Sequence, residues 1–115
     1  LPLLQKLKEC YKLWFENYNT LPKSHRYTLG LKIDSLFIET IEGVSVASFL
    51  NKETKLPWIQ FSIRKLDTLK ILLMVLWETK SLEDKKYIQL SIKLEEIGKM
   101  LGGWNGQIIK NSSQN

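Results

Sequence analysis

Three cationic or titratable side chains, Lys23, His25 and Arg26, fall within four positions of one another where an apolar helical pattern begins. A helix N-terminus carries a partial positive charge, so cations are disfavoured there. Their presence asks for a compensating partner: acids on a neighbouring loop, another subunit, or phosphates. Arg26 is also in phase with the apolar positions Leu29, Ile33 and Leu36, which places it at the mouth of a helix bundle. Lys32, Arg64, Lys65, Lys70, Lys85, Lys86, Lys93 and Lys99 spread along the other periodic segments. Each reads singly as a solvated cation on an outer face. As a set they read equally as a loose nucleic-acid footprint. Local pairing is open to some of them: Asp67 can meet Arg64 or Lys70 at three-residue spacing, and Glu95 can meet Lys99 at four.

Catalytic chemistry finds less to work with. His25 is the only histidine, which excludes a two-histidine metal site, and no Glu-x-x-His of the ferritin type occurs. Cys10 lies on an apolar helix face and reads as a small buried apolar residue. Gly98-Lys99-Met100-Leu101-Gly102 lacks the Gly-Lys-Ser/Thr ending of a phosphate loop and follows a helical pattern rather than a strand. It reads as close packing or a fraying helix end. Asp34, Glu39 and Glu42 fall on the solvated side of their helix, so no inward pair of acids is formed. Asn111-Ser112-Ser113 matches a glycosylation sequon, which has no bearing without a secretion signal. No catalytic residue, metal ligand or cofactor is expected.

The element that must organise all of these is Ile59 to Trp77. Ile59, Ile63, Leu66, Leu69, Leu73 and Leu76 keep helical spacing, and from Ile71 to Trp77 every residue is apolar. A helix apolar all round must be covered all round, in a bundle or an oligomer. The fully apolar run is far short of the roughly 20 residues a bilayer crossing needs, so no membrane is involved. Each of the three prolines follows a leucine just ahead of a helical pattern, at Pro2, Pro22 and Pro57, where a missing N–H costs nothing. A fourth start is Ser81-Leu82-Glu83-Asp84, a capping-box-like serine with acids in the first turn.

Four starts predict four helices. The first runs from about Leu3 to Tyr18, with Leu3, Leu7, Cys10, Trp14 and Tyr18 on one face. The second runs from about Ser24 to Leu50, its stripe formed by Leu29, Ile33, Leu36, Phe37, Thr40, Val44, Ala47, Phe49 and Leu50. Gly43 in that helix lets a neighbouring backbone approach, or marks a bend. Asn51 to Lys55 is a polar turn. The third helix spans about Trp58 to Lys80, and the fourth about Leu82 to Leu101 or slightly beyond. Tyr87, Leu90, Leu94, Ile97, Leu101 and Trp104 form a coiled-coil-type seam, after which Gly102, Gly103 and Gly106 loosen the end. Short connections make neighbours antiparallel, so the expected fold is all-α, an up-down-up-down four-helix bundle over residues 1–110, followed by a polar tail at 111–115. The alternation at Val44 to Phe49 is too short to read as a strand.

Composition agrees with this. A chain of 115 residues, 43% hydrophobic, with four Trp, four Tyr and four Phe, suffices for one domain with a real core. A single Cys allows no internal disulfide, and Leu1 to Leu7 has no signal-peptide pattern, so a reducing, cytoplasmic setting is expected. Seventeen Lys and Arg against twelve Asp and Glu give a net charge of +5, a mild lean toward an anionic partner. Trp58 and Trp104 should meet at one end of the bundle, while Trp14 lies at the far end of the first helix and Trp77 ends the spine. Such aromatics are either a lid on the core or an interface. Together with the spine's surplus of apolar surface they point to self-association, which makes Trp14, Trp58, Trp77 and Trp104 the interface candidates.

Leu21-Pro22-Lys23-Ser24-His25-Arg26-Tyr27-Thr28-Leu29-Gly30 resembles the LPK-x-x-(R/K)-(Y/F)-x-LG start of the second helix in the four-helix-bundle family that includes the accessory variability determinants (Avd) of diversity-generating retroelements. Leu82 to Tyr87 and Gly98 to Trp104 are similar to that family's last helix with its glycine-tryptophan ending. The resemblance covers nearly the whole chain and reaches Lys23, Arg26, Tyr27, Leu29, Gly30 and Trp104 by motif. It implies a barrel-shaped homopentamer with a basic surface that binds nucleic acid and the element's reverse transcriptase. In that complex cDNA is made with errors at template adenines during mutagenic retrohoming, and the accessory protein is not the polymerase. The alternative is a related bundle protein of the ribosomal-RNA intervening-sequence type, with a protein- or RNA-binding role and no retroelement partner.

Overall fold

The computed structural model describes residues 1–113, and its order is α1 Pro2–Tyr18, α2 Lys23–Arg26, α3 Leu29–Phe49, α4 Lys52–Glu78 and α5 Asp84–Ser113. The protein is all-helical, with four long helices and one short turn of helix, and no strand occurs among the described residues. The segment Val44 to Phe49 is helical. The helices lie along a body of 52 × 21 × 20 Å. α3 packs against α1 and α4, and α5 packs against α4 and α1. No described helix is long and apolar enough to cross a membrane.

The apolar stripes read from spacing become the core. Leu3, Leu7, Cys10 and Trp14 of α1 meet Ile33, Phe37 and Val44 of α3, Leu66, Leu69, Leu73 and Leu76 of α4, and Leu90, Leu94, Ile97 and Leu101 of α5 in one cluster. The seam on α5 continues one turn further, to buried Ile108. Two buried hydroxyls are satisfied within their own helices: Thr40 Oγ1 donates to Leu36 O at 2.7 Å and Ser62 Oγ donates to Trp58 O at 2.9 Å.

Several boundaries differ from those the spacing predicts, each for a local reason. The second helix is not continuous from Ser24. It breaks after Arg26, where Tyr18 donates its hydroxyl to Arg26 O at 3.0 Å and Thr28 Oγ1 donates to Ser24 O at 3.2 Å. α4 starts at Lys52, not at Trp58, because Asn51 is an N-cap whose Oδ1 accepts from Thr54 N at 3.2 Å. Pro57 therefore lies inside the helix, near the exposed first turns, and the lost bond is that of the Glu53 carbonyl. α5 starts at Asp84 and passes through Gly102, Gly103 and Gly106 to Ser113. That covers most of the stretch from Lys110 read as a polar tail, and residues 114–115 lie outside the described residues. Ser81 does not cap it.

The spine is covered on one side only. Ile71 is 56% exposed and Met74 39%, and Phe49, placed in the α3 stripe by spacing, is 88% exposed. Gly43 makes the close approach its position suggests. A Cβ there would collide with Ser62 Oγ and come within 2.9 Å of Phe61 Cδ1 on α4. Gly43→Ala is thus expected to destabilise the fold by about 1–3 kcal/mol through forced displacement of the Ser62 and Phe61 side chains of α4, read as a lower urea midpoint.

Candidate nucleic-acid and protein interface

The cluster at Lys23, His25 and Arg26 is built by α2 and by the loops on either side of it. Because α2 is its own short element, the three side chains occupy its last turn and not the start of a long helix. The dipole penalty inferred from a continuous helix is therefore absent. Arg26 sends one guanidinium nitrogen back to Asn19 O and Leu21 O, both at 2.9 Å. Those are carbonyls just beyond the C-terminal end of α1, where positive charge is favoured. Its Nε is buried without a partner among the described residues. His25 Nδ1 lies 2.6 Å from Ser81 Oγ, so the two share a hydrogen bond that ties α2 to the α4–α5 turn. Arg26 and His25 thus hold a corner of the molecule, and Lys23 alone of the three is exposed.

The α4–α5 turn brings further cations to the same end. α4 closes in a Schellman arrangement, with Ser81 N donating to Leu76 O at 3.1 Å and Lys80 N to Trp77 O at 3.0 Å. Lys80 occupies the left-handed position of that motif, at φ 69°. Glycine is the usual residue there, because a Cβ costs roughly 1 kcal/mol in this region. Lys80 fell within the third helix by spacing, and no glycine or asparagine signalled the turn. Lys85 is exposed in the first turn of α5, and Lys86 borders a polar cleft of about 360 Å³ with Glu16, Thr20, Ser81 and Glu83. Lys23, Lys80, Lys85 and Lys86 therefore gather at one end through the His25–Ser81 tie.

The remaining cations do not join them. Lys65 Nζ pairs with Glu39 at 2.8 Å and lies 5.2 Å from the Phe61 ring centre, in the middle of the α3–α4 face. Arg64 is exposed on α4 and Lys32 on α3. Lys93 lines the α1–α5 groove with Leu13, Gln89, Ile92 and Glu96, beside the pair Lys6–Glu96 at 2.7 Å. Glu95 takes Lys70 of α4 at 3.2 Å rather than Lys99 of its own helix. The acids also depart from the sequence reading. Asp34 is not solvated but accepts from Tyr11 Oη at 2.8 Å and Trp14 Nε1 at 3.2 Å. Glu39 is ion-paired and half-buried, and only Glu42 of the three is exposed.

The tryptophans separate as well. Trp14 is wholly enclosed, at 0% exposure, so it is a core residue with no surface to offer another copy. Trp77 stacks on Tyr87 at 4.5 Å and donates Nε1 to Asp84 Oδ1 at 2.7 Å, which closes the α4–α5 hairpin. Trp58 is 39% exposed and edges onto Phe61. Trp104, half-buried, carries Lys55 Nζ 5.3 Å above its ring, which puts the start of α4 beside the end of α5. Burial pushes the Cys10 thiol up to about 12, so it stays protonated and unreactive at neutral pH.

Fold and surface define an all-helical protein in which Arg26 and His25 secure one corner and Lys23, Lys80, Lys85 and Lys86 gather beside it. The chain belongs to the bAvd-like family, whose model matches residues 1–108, in accord with the resemblance to accessory variability determinants. That family is one of accessory, non-catalytic proteins. No curated protein matches the sequence.

Arg26→Ala is expected to destabilise the protein by about 1.5–3 kcal/mol, since two loop carbonyls lose a charged donor, and urea unfolding measures it. The hydrogen bond from Lys65, with help from Ser35, holds the Glu39 carboxyl below its ordinary value against the opposing effect of burial. A lowered carboxylate pKa contributes stability that is complete above the unfolded value of about 4.3 and is lost as pH falls through the lower folded value. The stability gap between wild type and Glu39→Gln should therefore shrink between about pH 5 and pH 3, which urea midpoints across that range would record.

Proposed function

We propose that this protein is the non-catalytic accessory subunit of a diversity-generating retroelement. On this reading it folds as an antiparallel up-down-up-down bundle and assembles with copies of itself as a pentamer. In the cytoplasm it presents the basic end to the reverse transcriptase and to RNA or DNA during mutagenic retrohoming. The observation that carries the proposal is family membership over residues 1–108. Cross-helix pairs support the alternating direction. From α1 they run Tyr11 to Asp34 of α3 and Tyr18 to Arg26 of α2, just ahead of α3; along α4 and α5, Lys70 with Glu95 and Trp77 with Asp84. Exposed Leu31, Phe49, Ile71, Ile88 and Ile92 support association with copies.

Lys23, Lys80 and Lys85 support an anionic partner, because none of them forms an ion pair among the described residues and Lys80 occupies a backbone position better suited to glycine. Three separate charges to phosphate give a steep salt dependence. The combined variant Lys23→Glu/Lys85→Glu/Lys86→Glu should keep its helical signal and lose about tenfold or more of its affinity for RNA and for the reverse transcriptase at about 0.1 M salt. Lys80→Gly should melt at the same or a higher temperature than wild type while binding RNA less well. A folded triple variant that retains both partners as wild type does would exclude this end as the contact, and a monomer at micromolar concentration in sedimentation would exclude the assembly.

A further inference from the structure

α5 carries four glycines between positions 98 and 106, and they do not play the same part. A Cβ on Gly98 would come within 2.7 Å of Lys70 Nζ, so Gly98 makes room for a neighbour. Gly102, Gly103 and Gly106 have nothing within 4 Å of where a Cβ would stand. Packing on this chain does not require them, yet each makes the helix less stable than alanine would. Among the described residues the segment is held by buried Ile108, half-buried Trp104 with Lys55 over its ring, and an interaction of Lys110. Asn105 Oδ1 in the same segment is buried with no hydrogen-bond partner among the described residues, a local cost that opening would relieve. A cleft of about 410 Å³ lies alongside, bordered by Leu3, Met100, Trp104 and Gln107.

We infer that the end of α5, from Trp104 onward, is an arm that opens as a unit on a hinge at Gly102-Gly103 while the rest of the bundle stays folded. The glycines lower the cost of breaking the helix at that point. Opening frees the Asn105 amide to meet water and uncovers the apolar wall formed by Leu3 and Met100. The inference is independent of the proposed function, since it rests on helix stability and packing alone.

Native-state hydrogen exchange on the full chain tests it, with rates corrected for their intrinsic values. The expected result is a step: amides from about 105 to 110 exchange with one shared, lowered protection, and those at 90–101 remain protected to the level of global unfolding. Gly102→Ala/Gly103→Ala/Gly106→Ala should slow exchange in the arm on the order of ten- to a hundred-fold, and amides at 90–101, which exchange by global unfolding, should slow by no more than the same factor, so that the step between the two groups remains. Ile108→Ala should act in the opposite direction, speeding exchange in the arm and speeding the globally protected amides by no more than the same factor. Protection that declines gradually from the C-terminus, as in ordinary fraying, would overturn the inference. So would an arm as protected as the rest of α5, or an alanine variant with unchanged exchange in the arm.

Discussion

The structure depends most on how closely α3 and α4 approach at Gly43. With no side chain at that position, Ser62 and Phe61 sit directly against the α3 backbone. The Ser62 hydroxyl can be placed there because it turns inward to the Trp58 carbonyl and leaves no unpaired donor at the contact. This contact sets the axial register of the two helices. One turn away it brings Glu39 opposite Lys65, and beyond that the leucines of α4 reach the core beside Ile33 and Leu36. A core of rigid, interlocked side chains cannot absorb a shift of one of its helices without forfeiting contacts along the whole seam.

A second constraint acts at the end of the molecule where three chain reversals converge. Loops must satisfy their own carbonyls, and here a guanidinium does so for the α1–α2 connection while a histidine and a serine join that connection to the α4–α5 turn. The cations that look most like a ligand site in the sequence are thus divided between two duties. Arg26 and His25 are structural, and the exposed ends of Lys23, Lys80 and Lys85 are left to solvent or a partner. A charge reversal at Arg26 would confuse loss of a corner with loss of a contact.

Spacing alone revealed the inward faces. The seam from Tyr87 to Trp104, the α1 face from Leu3 to Trp14 and the significance of Gly43 were all readable, because each follows from the 3.6-residue period or from a missing side chain. The ends of helices were less readable, since they are decided by single side-chain bonds. Asn51 looked like part of a polar turn but caps α4, and this moved the helix start ahead of Pro57. Arg26 and Tyr18 broke what periodicity read as one helix. Trp14 was ambiguous for another reason: a tryptophan near a helix end can be lid or interface, and only the partner for its Nε1, supplied by Asp34 of α3, decides for the interior.

The surplus of apolar surface on α4 has a simple geometric origin. A helix in a single layer around one core presents about half of its circumference inward, so a run apolar on every side cannot be covered by two neighbours. Leu69, Leu73 and Leu76 use the inward half, and Ile71 and Met74 are left on the outer half. α5 repeats the arrangement with Ile88 and Ile92 outside the Leu90–Leu94 seam. The core is already closed without these residues, so folding of one chain does not account for them. In the proposed assembly they supply the remaining cover, at roughly 25 cal/mol for each Å² removed from water, and the lysine-rich end, which lies at the tip of the long axis, stays clear of the flanks that would be buried.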